Sequence, residues 1–214
     1  LGNQQCYLNG IKFVLTHPIC NIDGAAAISR VDLEKLIDPI LRPQQIANAK
    51  AIRTVILDPG HGGHDSGAQN ALGCEKNYTL TVARLAQKLL TQAGYRVILT
   101  RTDDTFISLQ RRVEVANSVQ DSALFISVHF NCGNSDASGI ETFTLSPQGV
   151  AHYGRSVKSS DFLNYAGNAH DCANVALATA IHGSVLGQLN KLKSSDRGIK
   201  RARYNVLSLS LIHI

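Results

Sequence analysis

From residue 54 onward, apolar and polar positions follow two alternating periods. Thr54–Asp58 is a short β-branched apolar run, read as a strand and followed by a loop rich in Gly. A helix is expected from about Glu75 to Ala93, with Leu85, Leu89 and neighbouring Ala83, Ala86 and Leu90 on one face and Gly94 as its stop. Arg96–Thr100 reads as the next strand. Ser108 then caps a helix carrying Leu109, Val113 and Ala116, which leads to the apolar strand Leu124–Val128. Ile140–Leu145 is a further strand, and residues 146–168 form an insertion rich in Gly and Ser. A long helix near Asp171–Lys191 places Ala178, Ile181, Val185 and Leu189 on one stripe. Strands apolar on both faces and separated by helices predict an α/β fold. Its core is a mostly parallel twisted sheet with helices on both faces.

Residues 1–50 follow a different pattern. An apolar run at Ile11–Leu15 precedes a turn at Asn21–Gly24, and a short helix is expected from Asp32 as N-cap, stopped by Pro39. Pro43 and the polar stretch 44–50 read as a linker. The expected organisation is a small N-terminal α+β appendage over 1–50 and a principal domain over 51–214.

Composition narrows the class. The chain has 214 residues, 44% apolar and 17% charged, which excludes a disordered or collagen-like protein. No apolar stretch is long enough to span a membrane. There is no Met, and position 1 is Leu, so the sequence reads as part of a longer protein whose targeting signals lie outside it. The net charge is +5, and the segment 191–203 alone sets Lys191, Lys193, Arg197, Lys200, Arg201 and Arg203 against Asp196. Such a cluster suits an anionic partner or a solvated helix end, and the lack of interleaved aromatic residues argues against nucleic acid. Five cysteines without a C-x-x-C pair exclude a zinc finger and a disulfide-dense scaffold, while Cys6 and Cys20 flank a hairpin and either pair or remain thiols.

In parallel sheets the site lies at the carboxyl ends of the strands. There the sequence places Asp58-Pro-Gly-His-Gly-Gly-His-Asp-Ser-Gly67, then His129-Phe130-Asn131, with Glu75 opening the helix after the first loop. Two imidazoles and a carboxylate form a catalytic zinc donor set with an open fourth position. Asp65 or Asn131 is placed to orient a ligand histidine through its other ring nitrogen. The bland alternatives are a hydrogen-bonded strand-end histidine and a glutamate favoured by the helix dipole. His64-Asp65-Ser66 holds triad residue types, but adjacent residues cannot adopt triad geometry, and no Gly-Lys-Ser/Thr completes a phosphate loop.

Residues 54–145 closely resemble the zinc-dependent N-acetylmuramoyl-L-alanine amidases of the Amidase_3 family. The matching text is Ile56-Leu-Asp-Pro-Gly-His-Gly-Gly-His-Asp-Ser-Gly-Ala68, Glu75-Lys-Asn77, Leu99-Thr-Arg-Thr-Asp-Asp104 and Leu109-Gln-Arg-Arg112 with Ala116-Asn117. Phe125-Ile-Ser-Val-His-Phe-Asn131, Gly139-Ile-Glu-Thr-Phe143 and Asp196–Ala202 continue the series. The resemblance implies Zn²⁺ held by His61, Glu75 and His129, and hydrolysis of the amide between N-acetylmuramic acid and L-alanine in peptidoglycan. It implies a cell-envelope location and peptidoglycan, an anionic wall polymer, as partner. The family's general base is a Glu on or after the last strand, beyond the segment matching Arg197–Val206. After Asp196 this sequence contains no carboxylate, so the base and a closing strand and helix are expected beyond the C-terminus. Glu141, in phase with Phe143 and Leu145, is a candidate partner of the metal ligands or, less favourably, a substitute base. Two other readings remain beside the amidase: a catalytically inactive zinc-containing wall-binding or regulatory module, and another zinc amidohydrolase or peptidase.

Overall fold

The computed structural model describes residues 2–47, 51–131, 138–189 and 194–209. Along the chain the strands are β1 (Gln5–Leu8), β2 (Ile11–Val14), β3 (Cys20–Ile22), β4 (Ala25–Ala27), β5 (Thr54–Pro59), β6 (Gln69–Asn70), β7 (Gly73–Cys74), β8 (Arg96–Leu99), β9 (Ala123–Val128), β10 (Ile140–Leu145) and β11 (Asp196–Ala202). The helices are α1 (Arg30–Asp32), α2 (Asp38–Leu41), α3 (Glu75–Gln92), α4 (Leu109–Asn117), α5 (Asp171–Leu189) and α6 (Asn205–Ser208). The expected boundary at residue 50 follows the sequence pattern, whereas the compact units are drawn differently: residues 1–49 with 138–208, and residues 50–137 with 209–214.

The unit centred on residues 50–137 is a three-stranded parallel sheet in the order β8-β5-β9. Every residue of β5 is buried, as expected for a central strand covered on both faces. Ile56 lies opposite Ile98 on one side and Phe125 on the other, and both Ile56 and Phe125 are fully buried. Helix α3 covers the sheet with Ala83, Ala86 and Leu90, packed against Val55, Leu57, Val97, Leu99 and Ile126. Leu85 and Leu89, expected on that face, instead point outward with 60% and 66% of their surface exposed. Two residues from Ala83 is about 200° around a helix, so a leucine at 85 cannot share the face that Ala83 buries. Ser108 caps α4 as expected, accepting from the Arg111 N–H at 3.2 Å.

The other unit is a four-stranded sheet in the order β1-β2-β11-β10, parallel except for the β1–β2 hairpin. Phe13 of β2 lies opposite Ile199 of β11, and both are buried, so the N-terminal segment completes a sheet. The buried Asp32 accepts from the Thr16 N–H, the Thr16 hydroxyl, the Ser29 hydroxyl and the Arg201 guanidinium. Ser29, rather than Asp32, is the helix N-cap. Nor does Pro39 stop the helix: a wide π turn over Leu33–Ile37 precedes it, and helical structure continues to Leu41 with Pro39 buried. The wide turn accommodates a residue that lacks an N–H and crowds the preceding turn.

The inward stripe of α5 is Asp171, Asn174, Val175, Ala178 and His182, while Val185 is 37% exposed. The apolar stripe expected through Ile181 and Val185 is displaced because His182 has partners in the sheet: its Nδ1 lies 2.9 Å from the Thr142 hydroxyl and its Nε2 3.0 Å from Asp196. Cys6 and Cys20 are free thiols.

The four described cations of the basic segment each have a carboxylate partner elsewhere in the chain, but share three carboxylates among them. Arg197 and Lys200 pair with Glu141, Arg201 with Asp32 and Arg203 with Asp161. These pairs give the four cations structural tasks within the fold; Lys191 and Lys193 lie outside the described residues.

Asp161, inside the 146–168 insertion, is fully buried and accepts from Arg155 at 2.7 Å, the Lys158 N–H at 2.8 Å and Arg203 at 2.9 Å. The Arg155 hydrogen bond leads over the opposing effect of burial. With Lys158 and Arg203 it holds the carboxyl far below the usual carboxylate range. A depressed carboxyl stabilises the fold above the unfolded-state pKa of about 4, and that contribution is lost as pH falls through the folded-state value. Asp161→Asn is expected to cost about 3 kcal/mol at pH 7, a gap that narrows below about pH 4. Urea midpoints of both proteins across that range measure it.

Candidate metal centre

The site is built on the loop that follows β5. Asp58, at the strand end, accepts from the Thr100 hydroxyl at 2.5 Å, the Ser127 hydroxyl at 2.7 Å and the Arg112 guanidinium. Arg112, itself buried, also donates to the carbonyls of Pro59 at 2.9 Å and His61 at 2.8 Å. Arg101 donates to Pro59 at 3.0 Å and to Gly60 and Lys76 at 2.9 and 2.8 Å. Two buried guanidinium groups thus saturate the loop carbonyls and fix its path. His61 adopts φ +62°, a left-handed conformation uncommon outside Gly, with its carbonyl held by Arg112.

That conformation brings three side chains together. One donor atom each from His61, Glu75 and His129 lies within 4.8 Å of the others. His61 Nε2 is 3.2 Å and His129 Nδ1 3.1 Å from the same oxygen, Glu75 Oε1. The imidazole centroids are 4.9 Å apart and nearly perpendicular. Glu75 sits at the first position of α3; its Oε1 also accepts the Phe130 N–H at 2.7 Å, and its Oε2 the Ala68 N–H at 2.9 Å. One carboxylate therefore ties the loop after β5 to the end of β9.

The electrostatics suit a cation. Burial pushes the Glu75 carboxyl up, but the N–H groups of Ala68 and Phe130 and the two imidazoles outweigh it, leaving the group below its ordinary value and ionised. Burial, opposed by Glu75 and aided by His61, lowers His129, which favours the neutral ring that offers a lone pair. Asp65 accepts from or faces His61 Nδ1 at 2.9 Å, on the ring edge away from Glu75. Burial raises its carboxyl, and the hydrogen bonds with His61 and the Gly67 N–H carry it below its usual value.

The glycines fit this cluster sterically. A Cβ on Gly60 would lie 2.3 Å from the His129 ring, and one on Gly67, at φ +64°, would lie 2.6 Å from His61 and 2.8 Å from Glu75. Only Gly lets backbone approach both donors so closely.

Of the other sequence candidates, Asn131 is exposed just past the end of β9. Glu141 belongs to the other compact unit and is committed to Lys200 at 2.5 Å and Arg197 at 3.3 Å. Arg101 and Arg112 have no task that the sequence pattern shows, because the loop carbonyls they hold at Gly60 and His61 lie 41 and 51 residues away in the chain.

The fold and the site define a class of α/β domains that bring a His/Glu/His set of possible metal donors together at the carboxyl ends of parallel strands and the start of a helix. Within that class, a family model described as N-acetylmuramoyl-L-alanine amidase matches residues 55–213, and the chain belongs to that family. It is 32% identical over 158 residues to the uncharacterized protein YqiI of Bacillus subtilis, covering 74% of this chain and 65% of that one. It is 42% identical over 101 residues to the N-acetylmuramoyl-L-alanine amidase AmiA of Escherichia coli, covering 46% of this chain and 35% of that one. Among solved structures, the catalytic domain of the amidase CwlV from Bacillus (Paenibacillus) polymyxa superposes with a TM-score of 0.57 at 29% identity, covering 75% of this chain and 76% of that one. The amidase AmiC2 of Nostoc punctiforme superposes with a TM-score of 0.59 at 29% identity, covering 77% of each. The chain thus spans under two thirds of the length of both relatives.

Proposed function

We propose that this protein is a zinc-dependent peptidoglycan amidase that hydrolyses the amide between the lactyl group of N-acetylmuramic acid and L-alanine. The observation that carries the reading is the convergence of His61, Glu75 and His129 donor atoms within 4.8 Å, in a chain of the amidase family. The donors are two neutral-capable imidazoles and an ionised carboxylate, and the close backbone at Gly60 and Gly67 leaves their rings and oxygens turned toward one another. These residues fit a four-coordinate metal with one position left for water or substrate. Zinc held there supplies a Lewis acid for the scissile carbonyl and activates water for attack.

The chain's own residues prepare that site. Asp65 fixes the His61 ring by occupying Nδ1, and Glu75, ionised and locked by two backbone N–H groups, holds a fixed negative charge between the imidazoles. Arg112 and Arg101 keep the loop carbonyls from collapsing onto the donors. Residues 51–214 make up the amidase-like part and residues 1–50 an accessory segment. Relatives named cell wall amidases support a cell-envelope location, with peptidoglycan as the macromolecular partner. No helix among the described residues is long and apolar enough to cross a membrane.

Product analysis on purified peptidoglycan, by a chain that carries the general-base Glu implied by the family resemblance, tests the activity. New L-alanine amino termini on an intact glycan, abolished by a chelator and restored by zinc, are expected; new reducing sugar ends or other amino termini would overturn the reading. Asp65→Asn is expected to weaken zinc binding about 10–100-fold while leaving the circular dichroism unchanged. Competition against a chromophoric chelator reads that change.

A further inference from the structure

The donor cluster has an apolar neighbour that metal binding does not use. Phe130 follows His129 directly, and Tyr78 lies one turn along α3 from Glu75. Their rings are 5.9 Å apart and tilted by 55°, yet they remain 46% and 40% exposed. Leu72, at the tip of the β6–β7 hairpin, is 83% exposed, and its carbonyl accepts the Tyr78 hydroxyl at 2.5 Å. The two rings present an uncharged surface, and the Tyr78 hydroxyl ties it to the hairpin tip that carries the exposed Leu72.

This surface is positioned, not loose. The Phe130 N–H donates to Glu75 Oε1, the oxygen that faces both imidazoles, so the ring is one residue and one hydrogen bond from the donors. The Tyr78 hydroxyl is spent on the hairpin, donating to the Leu72 carbonyl. The ring faces are therefore left as the contact surface. Large apolar side chains held exposed beside a reactive centre mark a binding surface.

We infer that Leu72, Tyr78 and Phe130 form the subsite that receives the sugar ring of the substrate, on the acyl side of the scissile amide. The inference rests on the amidase reading above. A pyranose offers an uncharged face of C–H groups, and its N-acetyl and lactyl groups offer methyls. The negative face of an aromatic ring attracts such positively polarised edges, and the leucine packs against methyl groups. The peptide side of the amide presents N–H, carbonyl and carboxylate groups, for which this surface holds no charged partner. Burying them against it would cost unpaired polar groups.

The test compares binding of three probes by the zinc-loaded protein: an intact muropeptide, glycan strands stripped of peptide, and the stem peptide without sugar. Phe130→Ala and Tyr78→Ala are each expected to weaken glycan and muropeptide binding about 3–10-fold, and the double variant more, with a smaller loss on the sugar-free peptide. Both rings are exposed, and retained zinc stoichiometry and an unchanged melting temperature confirm that the variants are folded and loaded. Equal losses on glycan and sugar-free peptide, glycan binding indifferent to both substitutions, or no glycan binding by the unaltered protein would each overturn the subsite. Glycan bound through the rings, with no L-alanine-terminated peptide released even by a chain that carries the general-base Glu, would instead sink the amidase reading and leave the rings as a glycan-binding surface.

Discussion

Replacing His129 with alanine is expected to lower bound zinc from about one ion per chain to near zero, with loss of hydrolysis. The size of the effect follows from the donor count. Three protein ligands are the minimum of a catalytic zinc site, and with two the remaining imidazole and carboxylate compete poorly against water and buffer. The substitution also removes the ring that a Cβ at Gly60 would meet at 2.3 Å, so it opens space without adding strain. Because His129 is partly exposed, the fold is expected to survive, and metal analysis after gel filtration separates loss of a ligand from loss of structure. A variant that still holds about one zinc per chain would show that the three donors are not the metal centre.

The second large effect lies under the site. Arg112→Ala is expected to destabilise the protein by about 3–5 kcal/mol, because it leaves the fully buried Asp58 carboxylate without its cation. For a chain of this size that corresponds to a fall in Tm of roughly 6–20 °C in a thermal melt. The same substitution removes the Arg112 donor from the carbonyl of His61, while Pro59 keeps its bond from Arg101. Arg112→Lys keeps the charge but not the fork that reaches Asp58, Pro59 and His61 together, so it is expected to recover part of the stability. Its zinc affinity should nonetheless stay below that of the unaltered protein, since His61 at φ +62° loses the donor that holds its carbonyl. Zinc affinity equal to the unaltered protein in a folded Arg112→Lys variant would show that the loop holds His61 without help.

The readable parts of the sequence were those whose cause is local. β5 was legible as a β-branched run before a Gly-rich loop, the end of α3 through Gly94 at φ +90°, and the start of α4 through Ser108. The donor set was legible because strand ends and a helix start converge by the geometry of parallel sheets. What could not be read depended on distant partners. Arg201 and Asp32 are 169 residues apart, and Arg112 and Asp58 are 54 apart, so a basic run and a motif arginine gave no local sign of their pairing. His182 had no recognisable partner pattern because Thr142 and Asp196 reach it from two strands. Helix faces failed where apolar residues surround the axis, as at Leu85 and Leu89.

Glu75 carries one more implication, for ion selectivity. Each of its oxygens accepts one backbone N–H, Oε1 from Phe130 and Oε2 from Ala68, and that fixed orientation sets Oε1 beside two imidazole nitrogens. Calcium takes six to eight oxygens and often grips a carboxylate through both, and magnesium favours an octahedral shell rich in water. A scaffold that presents one oxygen and two imidazoles turns such hard ions away by coordination number alone. The backbone amides of Ala68 and Phe130, by fixing that orientation, would thereby favour an ion that accepts nitrogen donors over the abundant cations that need an oxygen shell.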